Sequence, residues 1–297
     1  MPQIINYELY KTAMTNPAIA QQNNTRAILI TGCSSGIGLC VAQGLKQRGY
    51  RVFATARQPA DVSRLVDLGL ESLQLDLDNS ESINQAVDEV LARTNGRLFA
   101  LFNNGAYGQT GAVEDLSREA LRAQFETNLF GWHELTCRVL PVMRQQGHGR
   151  IIQNSSVLGL VALPLRGAYN ASKYALEGLS DTLRLELHAS NIHIVLIEPG
   201  PIESRFRANA YRAFNQYIDK VHSPFQNQYE ALAARLTKEG PAAPFTLPPE
   251  AVLKKVIHAL ESKRPRERYY VTFPTHLFGI LRRLLSTRTL DRILRKV

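Results

Sequence analysis

A phenol and an ammonium stand four residues apart at Tyr169 and Lys173, in the stretch YNASK, with only small and polar side chains between them. On a helix, positions i and i+4 share a face about one turn apart, so the two heads can converge on one ligand. Proton transfer is the chemistry such a pair suits. A phenol with a reference pKa of about 10 exchanges protons poorly at neutral pH, and a nearby positive charge favours its ionised form. The spacing alone decides little, because Tyr/Lys pairs also arise by chance on solvated helix faces.

The elements around the pair supply a scaffold. From Arg26 the chain alternates short apolar runs with longer helical patterns. AILITG, RVFATA, SLQLDL, RLFALFN, GRIIQNSS and IHIVLIEPG read as six strands, separated by helical segments that include 80–94, 117–146 and 168–189. PEAVLKKVIHAL adds a surface helix and RYYVTF a last strand. This alternation predicts an α/β fold: a doubly wound parallel sheet, or Rossmann fold, with helices on both faces. Residues 26–272 form the expected single domain, with ligands at the carboxyl ends of the strands.

Directly after the first strand, ITGCSSGIG places Gly32, Gly36 and Gly38 at the opening of the first helix. Glycines allow close backbone approach to a pyrophosphate, and the amides at a helix start donate to it. About 20 positions on, an acid would suit the ribose of NAD and an arginine the 2′-phosphate of NADP. No Asp or Glu occurs from Val52 through Ala60, and Arg57 is present, which favours NADP(H).

With these motifs in order, the chain resembles the short-chain dehydrogenase/reductase family over residues 26 to 205. Within it, the chain is similar to single-domain members that include 17β-hydroxysteroid and retinol dehydrogenases and bacterial NADP-dependent aldehyde reductases. The resemblance implies a catalytic tetrad of Asn128, Ser156, Tyr169 and Lys173. Tyr169 exchanges the proton, Lys173 tunes it and holds the nicotinamide ribose, Ser156 holds the substrate oxygen, and Asn128 fixes a water. It also implies cofactor contacts from Gly32, Ser34, Ser35, Gly36, Ile37, Gly38, Arg57, Asp76, Leu77, Asn103, Gly105, Pro199, Ile202 and Ser204, besides Tyr169 and Lys173. Three positions depart from the family pattern. NNGA replaces NNAG after the fourth strand, Ser204 stands for threonine, and Ser35 occupies a place that is basic in many NADP-preferring relatives.

Composition is that of an ordinary globular chain, 44% hydrophobic and 21% charged over 297 residues. Cys33, Cys40 and Cys137 show no metal-ligand spacing and fit a reducing compartment, so no metal and a cytoplasmic location are expected. Residues 1–25 lack the features of a secretory signal and read as a flexible arm. Residues 201–248 carry scattered aromatics, which suit either a core-filling insertion or a lid over an apolar substrate.

The formal charge of +9 is concentrated at the end, where 261–297 holds ten Lys/Arg against three acids. No run there is long enough to span a bilayer. The extension 273–297 reads as a basic amphipathic helix, either packed on the body or a neighbouring subunit, which is the favoured reading, or lying peripherally on anionic membrane lipid. It lacks the aromatic interleaving of a nucleic-acid binder. The helices around 117–146 and 168–189 often form dimer interfaces in the family, so a homodimer is a further expectation.

The leading functional expectation is an NADP(H)-dependent oxidoreductase acting on a small carbonyl or alcohol substrate, reducing apolar aldehydes or ketones. The alternatives are a steroid or retinol-type alcohol dehydrogenase, an acyl-carrier ketoreductase and a non-catalytic NADP(H) sensor. The presence of both Tyr169 and Lys173 weighs against the sensor, and the glycine spacing weighs against a nucleotide-sugar epimerase.

Overall fold

The computed structural model describes residues 26–241 and 243–297, so the expected 1–25 arm lies outside the described residues. In chain order the first half comprises β1 (Ala27–Ile30), α1 (Gly36–Gln47), β2 (Arg51–Ala56), α2 (Pro59–Asp67), β3 (Glu71–Gln74), α3 (Ser80–Arg93) and β4 (Ala100–Asn103). Helix α4 (Arg118–Phe125) then runs through a π-helical turn, Glu126–Phe130, into α5 (Gly131–Gln146). β5 (Gly149–Asn154), α6 (Gly167–Glu186), β6 (Ile192–Glu198), α7 (Phe206–Tyr217) and α8 (Gln226–Thr237) follow. The chain ends with α9 (Glu250–Glu261), β7 (Arg268–Tyr270), α10 (Phe273–Leu284) and α11 (Thr287–Leu294).

Seven parallel strands form one sheet in the order β3-β2-β1-β4-β5-β6-β7. This is the doubly wound sheet expected from the sequence. The order reverses between β1 and β4, so a crevice opens there above the strand ends. Both faces are covered, which is why the strands read as continuous apolar runs rather than alternating ones. Leu29, Phe53, Leu101 and Ile151 join the core under α3, α5 and α6. Their neighbours Ile28, Val52, Phe102 and Ile152 join the opposite core under α1 and α9.

Local chemistry fixes the helix starts. Asn79 accepts a 2.9 Å bond from the Ser82 amide at the start of α3, and Ser117 accepts one of 3.1 Å from Ala120 at the start of α4. The structure also departs from the sequence reading. Helix α2 was not among the expected elements; it is nine residues long and buries only Leu65. The expected 117–146 helix is widened by the π-helical turn that carries Asn128. The last strand stops at Tyr270, because Thr272 adopts an extended cap and Pro274 fits the first turn of α10.

Segment 201–248 divides the roles proposed for it. Phe214 and Tyr229 fill a satellite core with Ala112, Ile218 and Leu232, and Phe225 packs against it. Phe206 lies instead against Tyr169, with ring centroids 5.3 Å apart. Helices α10 and α11 pack on the loop after Ser156, where Val161, Phe278 and Leu294 form a small core. Arg282 donates a 2.6 Å bond to the Leu160 carbonyl in the same loop. No helix of the described residues is long and apolar enough to cross a membrane.

Candidate active site

The glycine turn between β1 and α1 has the shape its sequence suggested. Gly32 and Gly36 adopt φ of +69° and +56°, a region that side chains disfavour. A Cβ on Gly32 would sit 2.5 Å from the Cα of Gly105, so the turns after β1 and β4 pack backbone against backbone. Gly105 is therefore sited where closeness is needed, despite the exchange with Ala106. Ser35 is the extended cap of α1, its side chain makes no cap bond, and the first turn holds no acid. The amides of that turn are free to meet an anion.

Hydrogen bonds tie this turn to the candidate proton-transfer pair. The Thr31 hydroxyl accepts from the amides of Asn104 and Gly105, each at 2.8 Å. The Asn104 side-chain amide donates to the carbonyls of Thr31 and Gly32 at 3.0 and 3.2 Å. Its oxygen accepts from Asn154 at 2.9 Å, and the Asn154 carbonyl accepts from Lys173 Nζ at 2.8 Å. The line from the glycine turn to the lysine is continuous. Asn103, the neighbour singled out from sequence, points the other way: its side chain is buried and donates to Thr136 and Gln153 at 3.1 and 3.0 Å.

Tyr169, Lys173, Ser156 and Asn128 come together at the carboxyl end of β5, and all four are buried. Ser156 caps a short turn by accepting from the Leu158 amide at 3.1 Å, and it hydrogen-bonds the Tyr169 phenol. Asn128 is held by the Tyr107 main chain, donating 2.9 Å to the carbonyl and accepting 3.2 Å from the amide. The Lys173 ammonium lies 4.3 Å from the Trp132 ring centroid and 5.7 Å from that of Tyr169. Trp132 in turn donates a 2.8 Å bond to the Gly105 carbonyl.

Burial dominates the electrostatics of the pair. Burial pushes the Tyr169 phenol up to about 12, and only the Ser156 hydrogen bond opposes it. Burial also brings Lys173 down to about 7, against the pull of Glu177. Neither charge is compensated by solvent, so the ammonium does not draw the phenol into working range by itself.

Behind Lys173 lies a group of charges that the sequence reading did not find. Arg268 on β7 pairs with Glu177 on α6, with Glu198 at 2.6 Å and with Asp181 at 2.7 Å. Ser155 donates to Glu177. Glu198 is fully buried and pushed up to about 8, by burial first and by Glu177 second. It immediately precedes Pro199, whose carbonyl accepts from the Val157 amide at 2.8 Å.

The remaining expected contacts line the crevice or its edge. Arg57 follows β2, and its guanidinium makes no hydrogen bond or ion pair among the described residues. Arg64 donates to the Ser34 carbonyl while pairing with Asp61 at 2.8 Å. Asp76 accepts from the Asp78 amide at 3.2 Å, and Leu77 packs its carbonyl against Gly131. Ile37 packs against the α1-side core beside Gly38, which itself has no room for a side chain. Ile202 bridges to Leu247, and the Ser204 hydroxyl accepts from the Phe206 amide at 3.3 Å. The Ser204 Cβ lies 2.8 Å from where a Cβ on Gly36 would sit, so the glycine turn and the loop after β6 meet across the crevice.

The chain is similar to known proteins. The chain matches the short chain dehydrogenase family over residues 26–214. It is 47% identical over 269 residues to the uncharacterized oxidoreductase YbbO of Escherichia coli K12, covering 91% of this chain and 94% of that one. The 3-ketodihydrosphingosine reductase of Bacteroides thetaiotaomicron is 39% identical over 183 residues, 61% of this chain and 66% of its own length. A crystal structure of a short-chain dehydrogenase from Streptomyces avermitilis superposes with a TM-score of 0.72 at 27% identity, over 91% of this chain and 93% of that one.

Proposed function

The chain belongs to the short-chain dehydrogenase/reductase family of oxidoreductases, and from that premise we propose that it moves hydride between NADP(H) and an apolar aldehyde or ketone, in the reducing direction. One observation carries the reading: a buried phenol, lysine and serine lie together at the strand ends, joined by hydrogen bonds to a glycine turn built for a pyrophosphate.

The residues fit the dinucleotide. Gly32 and Gly36 let the turn pack closely on Gly105 and Ser204 with no side chain in the way, and the uncapped start of α1 presents donors to phosphate. The Arg57 guanidinium makes no hydrogen bond or ion pair among the described residues, although its charge reaches Asp78 and Tyr107, and no acid precedes it on β2, which supports a 2′-phosphate. When bound, the cofactor supplies the hydride and, in its oxidised form, a positive charge beside the site.

In this reading Ser156 donates a hydrogen bond to the substrate oxygen and Tyr169 delivers its proton there. Lys173 orients the nicotinamide ribose while the Asn154 carbonyl holds its ammonium. Asn128 positions Tyr107 and anchors the π-helical turn. Phe206, edge-on to the phenol, supplies an apolar wall, which supports an apolar substrate. The relative named as a 3-ketodihydrosphingosine reductase supports a carbonyl substrate. The three free thiols support a reducing compartment such as the cytoplasm.

The test is loss of reduced-nicotinamide absorbance with NADPH and with NADH against aliphatic, aromatic, retinoid and steroid carbonyls. Turnover with NADPH is expected, and Arg57→Asp should lower kcat/KM for NADPH by about tenfold or more while sparing NADH. A wild-type preference for NADH would overturn the cofactor assignment.

A further inference from the structure

Helix α10 has two opposed apolar faces. Its inner face, with Thr275, Phe278 and Gly279, is buried on the body. Its outer face carries Phe273, Leu277, Ile280 and Leu284 at i, i+4, i+7 and i+11, which align along one side of a helix. These four are 37% to 75% exposed. Phe245 extends the ridge, with its ring centroid 5.0 Å from that of Phe273 and 58% of its surface exposed. Its φ of +59° is unfavourable for a bulky residue, so the chain holds this aromatic outward against its own backbone preference.

The surroundings of the ridge are cationic. From 273 to 297 there are six Lys/Arg against one acid; Arg282 turns to the body, bonding the Leu160 carbonyl and lying over the Tyr174 ring, and none of the six forms an ion pair among the described residues. At the other end lies a cleft of about 540 Å³ floored by Leu247, Val271 and Tyr269. Leu247 and Val271 are each two residues from the ridge residues Phe245 and Phe273. Lys254, Lys255 and Arg266 rim this cleft, with Glu250 as its acid.

We propose that this ridge and its cationic surroundings are a docking surface for anionic membrane lipid. Large apolar side chains enter the acyl boundary while the flanking cations meet headgroup phosphates. Charge decides against a second copy of the chain, because a two-fold contact would set the same positive surface against itself. A nucleic acid would match the charge but leave the aliphatic ridge in water. The surface adjoins Ile202 through its bridge to Leu247, so docking places the nicotinamide loop near the bilayer. The inference is independent of the proposed activity.

The experiment is sedimentation of the full chain with vesicles of phosphatidylglycerol mixed with phosphatidylcholine, and with phosphatidylcholine alone. Binding to the anionic vesicles is expected, weakening at about 0.5 M salt. The exposed double variant Ile280→Glu/Leu284→Glu should partition about tenfold less, with an unchanged thermal melt. No binding to anionic vesicles, or undiminished binding by the variant, would overturn the proposal. So would a lipid-free dimer of the wild type that the variant converts to monomer, since that would assign the ridge to a second copy.

Discussion

Lys173 Nζ donates a 2.8 Å hydrogen bond to the main-chain carbonyl of Asn154, and that contact ties helix α6 to the end of β5 beneath the candidate active site. The lysine is otherwise enclosed, with the Trp132 ring 4.3 Å away, and burial brings its pKa from 10.5 to about 7. Between those values the unfolded chain binds a proton that the folded chain does not, so stability rises with pH across the window. The limit is about 1.4 kcal/mol per pH unit. Lys173→Met should remove this contribution and flatten the rise. Urea unfolding of the cofactor-free protein at about pH 7 and about pH 9 measures it, and equal slopes in both proteins would contradict it.

Gly38 tests the glycine turn. A Cβ there would collide with the Gly32 carbonyl oxygen and lie 2.7 Å from the Asn104 amide nitrogen. Neither neighbour is a flexible side-chain end, since Asn104 is fixed by Thr31, Gly32 and Asn154. Gly38→Ala should cost about 1–3 kcal/mol of stability and weaken dinucleotide binding by about tenfold or more. Trp132 is the chain's one tryptophan and contacts Gly105, so its fluorescence reports the titration.

Arg268 tests the buried charges. It neutralises Glu177 and Glu198, whose carboxyls are both raised by burial. Arg268→Met should destabilise the fold by about 3–5 kcal/mol at neutral to alkaline pH, the usual cost of removing one partner of a buried pair. The deficit should shrink on acidification. Both carboxyls have folded values above 4.5, so they cost stability increasingly as pH rises and ionisation is demanded. Unfolding midpoints across that range give the check.

What the sequence disclosed depended on distance along the chain. The glycine turn and the Tyr169/Lys173 pair are local patterns, because phosphate binding and proton transfer each require particular residues within one turn. Asn103 and Asn104 could not be told apart, since consecutive residues at a strand end face opposite sides and only the sheet fixes which faces the crevice. The Arg268 group draws on α6, β6 and β7, with partners 70 to 91 positions apart, so no local spacing betrays it. Helix α2 escaped because its nine residues fall short of the window over which a helical period is read. The shifts on Tyr169 and Lys173 have a related basis. Proximity is legible in a sequence, whereas desolvation depends on how Trp132 and Phe206 close around the pair.

The most direct test of the account is turnover of NADPH with an aldehyde by Tyr169→Phe, beside its NADPH affinity from Trp132 fluorescence. Loss of the hydroxyl removes the proton donor and leaves the ring against Phe206, so kcat should fall by between about a hundredfold and ten-thousandfold with binding within about twofold. A variant that keeps full turnover would contradict the assignment of Tyr169 as the proton donor.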